Sequence, residues 1–411
     1  MKTQRILILF LGIVVAGVLL AFSTWHQWND NQKTTLERMR PIPPMATYSQ
    51  GASINYIAFD PKNPELIAAD SGSILSADSD YIVKVWNLNN QETPILTLKT
   101  HKEQNESTFM VGLGFSPINN WIATQTFKTL EIWDSTSGSK INTLNTTSSN
   151  FAISPVDNKI ALDYRGLTIW DFNDPKNIKG KILLPPLMGW EAIPLGLEKI
   201  TPYPKENRIL YNKLISYSNA FGSDDYKAID FSHDGRWLAA GGKRLNENSE
   251  WKQIVKIWDL HKHQLYKIID RDEPKIQKPK GKEGKVPANR PSTSNNVRSI
   301  KFSPDNRFIG LAADNGLTIW SLPEWKIYHE MLDQKIADVA FSPNGKVYAI
   351  TDREKVTLWS IDNLTPIALV KDKEFMSIVE VLEFSPTGKY LAAGGWSGIL
   401  WIWDVSEFYE N

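Results

Sequence analysis

The stretch Val297-Arg-Ser-Ile-Lys-Phe-Ser-Pro-Asp-Asn306, continued by Phe308-Ile-Gly-Leu-Ala312, Asp314-Asn-Gly316 and Leu317-Thr-Ile-Trp320, decides the fold. Apolar and polar residues alternate from Val297 to Phe302. Pro304-Asp-Asn306 and Asp314-Asn-Gly316 carry turn chemistry. A period of two bounded by such turns means antiparallel strands. Six further segments have the same two marks. Phe59-Asp-Pro61 leads to Val83-Lys-Val-Trp86, Phe115-Ser-Pro117 to Leu130-Glu-Ile-Trp133, and Ile153-Ser-Pro155 to Leu167-Thr-Ile-Trp170. Phe231-Ser-His233 leads to Val255-Lys-Ile-Trp258, Phe341-Ser-Pro343 to Val356-Thr-Leu-Trp359, and Phe384-Ser-Pro386 to Leu400-Trp-Ile-Trp403.

A fourth, more polar strand is expected after each Trp, as in Ile95–Leu98, Ile141–Leu144, Tyr266–Ile269 and Ile367–Val370. Four strands per repeat with little helical pattern imply an all-β propeller of small sheets, each burying its faces against its neighbours. The repeats resemble WD40 repeats across residues 53–405. Trp133-Asp134, Trp170-Asp171, Trp258-Asp259 and Trp403-Asp404 keep the family's dipeptide, whereas Trp86-Asn87, Trp320-Ser321 and Trp359-Ser360 depart from it. The family's Gly-His pair is nearly absent, with Thr100-His101 its nearest remnant. The turn aspartate survives at Asp80 and Asp314 and is replaced by Phe127, Tyr164, Arg353 and Ser397. The resemblance implies that most blades rely on packing in place of a His-Asp-Trp hydrogen-bond network.

Seven four-stranded blades are expected, with eight as the alternative. The interval from Trp170 to Trp258 is about twice a repeat, and Glu198–Leu210 faintly echoes Tyr56–Ile67. The chain stops just after Trp403-Asp404 at a third strand, so Met45–Ser49 is the natural donor of the missing outer strand. Residues 45–411 are therefore read as the propeller, closed by an N-terminal strand, with insertions at 187–225 and 271–296.

The N-terminus has a different character. Basic Met1–Arg5 precedes Ile6–Phe22, an uninterrupted run of apolar residues and glycine. As a helix that run would span about 25 Å, the short end of a membrane crossing. Trp25 and Trp28 follow where interfacial aromatics would sit. Residues 1–25 are read as a retained signal anchor, and residues 26–44, ending in Arg40-Pro-Ile-Pro-Pro44, as a polar, Pro-rich stalk. A cleaved signal peptide is the alternative. Lys2 and Arg5 favour an inside N-terminus and a body outside the cytoplasm, while Lys33, Arg38 and Arg40 argue for the reverse topology.

Composition narrows the chemistry. Formal net charge is zero, so no whole-chain field draws a polyanion. No cysteine is present, which excludes disulfides, thiolate nucleophiles and thiolate metal sites. The six histidines are scattered, and His261-Lys-His263 reads as a solvated turn. No phosphate-cradling Gly loop or nucleophile elbow occurs. A catalytic residue, metal or cofactor is not expected.

Function is expected on enlarged loops carried by the scaffold. Asp70–Asp80, Thr100–Phe109, Leu187–Asp225, Gly241–Lys252 and Arg271–Asn296 all fall on the rim holding second-to-third-strand and blade-to-blade connections, the top. Trp190, Tyr203 and Phe221 are clustered aromatics suited to a partner or to a small core of the insertion. Lys278, Lys280, Lys282 and Lys285 form a basic arm or a solvated loop. Arg244, Trp251 and Trp396 complete the candidate set. A membrane-tethered, non-enzymatic scaffold binding a protein partner is the reading these residues favour. A ligand sensor or enzyme with a site in the central channel is the alternative. Nucleic acid is not expected, because the arm lacks interleaved aromatics.

Overall fold

The Trp-ended segments become the third strands of seven sheets arranged in a ring in the computed structural model. It describes residues 32, 35–36, 38–39, 41–71, 81–89, 93–100, 110–163, 167–175, 178–182, 194–195, 225–245, 251–271, 296–332, 334–371 and 378–408. The apolar run Ile6–Phe22 lies outside them. No helix of the described residues is long and apolar enough to cross a membrane.

Blade one comprises Ile57–Phe59, Leu66–Ser71, Tyr81–Asn87 and Leu96–Thr100, counted from the axis outward, and blade two comprises Met110–Phe115, Trp121–Thr126, Thr129–Asp134 and Lys140–Asn145. Blade three has Phe151–Ile153, Lys159–Leu162, Thr168–Asp171 and Lys179–Ile182, plus Pro194–Leu195 on its outer edge. Blade four has Asp225–Phe231, Trp237–Leu245, Trp251–Asp259 and Gln264–Arg271, and blade five Val297–Phe302, Phe308–Ala313, Gly316–Ser321 and Lys326–Leu332. Blade six has Asp338–Phe341, Val347–Thr351, Val356–Ser360 and Pro366–Lys371. Blade seven takes Val379–Phe384, Tyr390–Gly395 and Ile399–Asp404 from the C-terminal end and Ala46–Ser49 from the N-terminal side, with Ala46 opposite Ile402 and Ser49 opposite Ile399.

Among the described residues no blade has a core of its own. Each of the seven apolar clusters is built from two adjacent blades, as with blades four and five around Val255, Ile257, Phe302 and Trp320. Trp86, Trp133, Trp170, Trp258, Trp320, Trp359 and Trp403 are all buried between blades. Burial of apolar area at about 25 cal/mol per Å² is thus the force that holds blade to blade. The motif serine has a second task. Ser303, fully buried, accepts a hydrogen bond from Phe308 N at 2.8 Å and donates to Asp305 at 2.6 Å, closing the bottom turn. Ser232, Ser342 and Ser385 accept from Trp237, Val347 and Tyr390 in the same way.

Two expectations are corrected. Gly241–Lys252 is not all loop: Gly241–Leu245 and Trp251–Lys252 continue the second and third strands of blade four, pairing Leu245 with Trp251. Gly241, within the second strand, allows a close approach of the blades. A Cβ on Gly241 would lie 3.0 Å from Val297 of the next blade. Side-chain bonding to the Trp rings also persists without the family's histidine. The indoles of Trp133, Trp170 and Trp359 donate to Thr124, Thr168 and Thr357, each at 2.9 Å.

Between blades five and six, His329 is buried among Tyr348 and Trp359, with ring centroids 6.3 Å from each. Burial lowers its pKa from 6.5 to about 4. The folded state therefore resists the proton that the unfolded chain takes up below pH 6.5. Stability is intact above that pH and is lost as pH falls towards 4, by roughly 3 kcal/mol in all. Denaturant melts from pH 7 to 4 should show this loss, and His329→Phe should flatten it.

Candidate functional site

Two regions concentrate chemistry: the top rim and the axis of the ring. On the rim, buried carboxylates pin the chain as it enters the inner strands. Asp70, at the end of a second strand, accepts hydrogen bonds from Asn55 N at 2.7 Å, Tyr56 N at 2.8 Å and the Asn55 amide at 3.2 Å. Burial pushes its pKa up to about 6 against those hydrogen bonds. Half-buried Asp163 closes the corresponding loop of blade three, accepting from Ser149 N and Asn150 N, while Asn150 reaches Tyr226 O in blade four at 2.7 Å. In blade five, Arg298 pairs with Asp314 at 2.9 Å. Sequence spacing pointed to Asp80 and Asp314. Asp70 and Asp163 were missed because they close their loops from the second strand, farther from the Trp.

Trp396 stands on this rim. Its turn, Gly395–Gly398, is held by backbone bonds on both sides. Trp396 N donates to Ile378 O at 3.0 Å, Gln50 N to Gly398 O at 2.7 Å and Ile54 N to Gly395 O at 2.9 Å. Gly398 has φ of +67°, and a Cβ there would meet Ala52 O at 2.5 Å. A Cβ on Gly395 would meet Ile378 O at 1.8 Å. The glycines let the chain pass close by, so the turn is fixed while its ring remains 60% exposed. Of the other sequence-derived candidates, Arg244 and Trp251 lie on paired strands extending blade four at the same rim. Trp190, Tyr203, Phe221, Lys278, Lys280, Lys282 and Lys285 lie outside the described residues.

The axis carries an arrangement that sequence reading did not find. The inner strands contact one another around the full ring. Blades one to three present Ala58, Gly114 and Ala152 just before the inner-strand end, whereas blades four, five and seven present Asp230, Lys301 and Glu383, all half-buried. A Cβ on Gly114 would lie 2.7 Å from Ile153, so that half of the ring is packed tightly with small residues. In the other half, Asp230 accepts from Phe302 N of blade five at 2.7 Å, and buried Asp338 of blade six accepts from Leu382 N of blade seven at 2.8 Å. Burial raises Asp230 to about 6, offset in part by Lys301, and raises Glu383 to about 7 in the same way. Asp338 is also raised by burial. Burial opposes the Lys301 ammonium, but Glu383, Asp230 and Asp338 together hold its pKa above the ordinary value. Groups on four blades can act on one cation only at the axis. The cluster links blades; among the described residues no group of three or more His, Cys, Asp or Glu could hold a metal ion.

Comparisons with known proteins agree with this architecture. The model of the WD domain, G-beta repeat, matches residues 219–259, 286–321 and 375–404. TBC1 domain family member 31 of Xenopus laevis is 22% identical over 189 residues, 44% of this chain and 14% of that protein. WD repeat and HMG-box DNA-binding protein 1 of Mus musculus is 25% identical over 121 residues, 26% of this chain and 11% of that protein. Protein HIR1 of Candida albicans is 26% identical over 198 residues, 40% of this chain and 20% of that protein. The chain thus spans a fifth or less of the length of these relatives. The crystal structure of the Cps50 (Swd1) β-propeller domain of Myceliophteria thermophila superposes with a TM-score of 0.61 at 14% identity, covering 88% of this chain and 100% of that one. The protein carries WD40 repeats folded as a WD40 β-propeller.

Proposed function

We propose that the protein is a non-enzymatic scaffold, tethered to a membrane by Ile6–Phe22, that binds a protein partner through the top rim. The observation that carries the binding role is Trp396. A ring this exposed gains little from burial in the monomer, yet its backbone is fixed from two sides. An aromatic presented on a rigid turn contributes contact area with little ordering cost on association, the usual character of an interface hot spot. WD40 propellers generally serve as platforms for proteins, which supports the same reading. One relative is named for DNA binding, but the match covers only 11% of it. The neutral net charge here favours a protein ligand.

The tether and an extracytoplasmic body rest on the N-terminal sequence. Protease digestion of intact cells should reach the body in that topology, and protection of the body would instead place it inside. For the rim, Trp396→Ala should leave the melting temperature within about a degree or two, since surface changes away from special features are nearly neutral. It should weaken capture of the crosslinked native partner by at least about tenfold, as expected for a hot spot. Undiminished capture would move the interface elsewhere.

A further inference from the structure

The chain just ahead of the propeller follows its outer wall. Ile42 packs on the cluster between blades six and seven, with its N–H bonded to Leu369 O at 2.9 Å and its carbonyl accepting from the Trp403 indole at 3.0 Å. Leu36 packs on the next cluster, between blades five and six. The chain therefore fills successive inter-blade grooves, moving back around the ring as residue number falls. Gln32, Thr35, Leu36 and Arg38 are helical; Gln32 is buried and Leu36 half-buried, while Thr35 and Arg38 are exposed. That pattern is one helical stripe, and in the sequence Trp28 and Trp25 stand at the same spacing of four and three ahead of Gln32.

The following groove, between blades four and five, is left uncovered by the described residues. Tyr266 and Ile327 remain 47% and 56% exposed there. Its floor is aromatic: Tyr266 lies 4.8 Å from Trp237 and 6.1 Å from Trp325 between ring centroids, and Ile327 pairs across the strand with Trp320. Trp237, Trp320 and Trp325 belong to the cluster shared by these two blades.

We propose that the chain's own Trp25–Trp28 stretch, which lies outside the described residues, occupies the groove between blades four and five, with Trp28 against Tyr266 and Ile327. The occupant is a segment of this chain because Ile42 and Leu36 already commit the backbone to that path, and because the stripe supplies a large apolar ring eight residues before Leu36. The contact is independent of the top rim. It would send whatever precedes residue 25 away from the propeller's side, leaving Trp396 clear for a partner.

The absence of cysteine makes a clean test possible in the full-length chain. Asn29→Cys paired with Lys326→Cys, beside the groove, should be bridged by a short bismaleimide at least about tenfold faster than Asn29→Cys paired with Lys99→Cys on the outer strand of blade one, because a held segment raises the local concentration of one partner thiol. Trp28→Ala in the first pair should abolish the difference. As a second readout without crosslinking, Ile327→Asp should speed proteolytic cleavage within residues 23–40 by about tenfold while leaving the body's melting temperature unchanged, since cleavage tracks the undocked population. Equal bridging rates for the two pairs overturn the proposal, as does a cleavage rate insensitive to Ile327→Asp.

Discussion

Deleting residues 41–50 is expected to abolish cooperative melting of the propeller. Among the described residues, these carry the only strand that covers the outer edge of Ile399–Asp404. Tyr48 is buried against Trp86, 5.4 Å between ring centroids, and loss of such an aromatic costs about 3–5 kcal/mol. The Trp403 indole would lose Ile42 O, and an unpaired buried donor costs about 1–3 kcal/mol more. Ala46 and the four-residue ladder to Ile399–Ile402 disappear as well. Together these losses approach the whole stability of an ordinary domain, about 5–15 kcal/mol. The ring has no redundancy to absorb them, since each cluster needs both of its blades. Circular dichroism melts would check the outcome. A truncated body that still melts sharply within a few degrees of the parent would show that the closing strand is dispensable.

Lys301→Met is expected to have the next largest effect, and a pH-dependent one. Without that ammonium, Asp230, Asp338 and Glu383 face one another across the axis without the Lys301 charge that offsets their burial. Breaking a buried charge cluster by removing one partner costs about 3–5 kcal/mol, reduced here to about 2–4 because Asp230, Lys301 and Glu383 keep some contact with the channel. The sign with pH follows from the carboxyls. Asp230 and Glu383 titrate at about 6 and about 7 in the fold, above their unfolded values. The fold therefore holds their protons more tightly than the unfolded chain does. Their contribution is fully present below about pH 4 and is lost as pH rises through 6 to 7. Loss of Lys301 raises both further, so the variant's deficit should be small near pH 5 and largest at pH 8. Lys301→Met with Glu383→Gln should recover part of it. Equal deficits at both pH values would mean that Lys301 acts by packing alone.

Legibility in the sequence followed the range of the interactions. Strands, turns and Trp positions were readable because alternation and turn chemistry act within ten residues or so. Seven four-stranded blades followed from them, including the long interval between Trp170 and Trp258, which adds only the short Pro194–Leu195 strand to blade three among the described residues. The site was less legible. Trp396 could be named from its Gly-rich turn, but whether its ring was covered depended on neighbouring loops. Asp70 and Asp163 carry the same loop-closing work as the expected turn aspartate, from positions that the Trp spacing does not reach. The Thr partners of Trp133 and Trp359 looked like ordinary strand residues.

The sequence by itself determined the repeat unit: an alternating inner strand, a turn of Pro, Asn and Gly, and a third strand ending in Trp. These depend on φ/ψ preference and on which face of a strand is apolar, and neighbouring residues state both. Only the tertiary structure decided what the ring brings together. Asp230, Lys301, Asp338 and Glu383 lie on four blades and meet because the ring places its inner strands around one axis. Ile42 and Leu36 find grooves that exist only between finished blades. Trp396 stays exposed because Ile378, Gln50 and Ile54, the last two from the N-terminal side of the chain, bond to its turn without covering its ring. Burial and electrostatic proximity are properties of the closed ring, and no single repeat contains them.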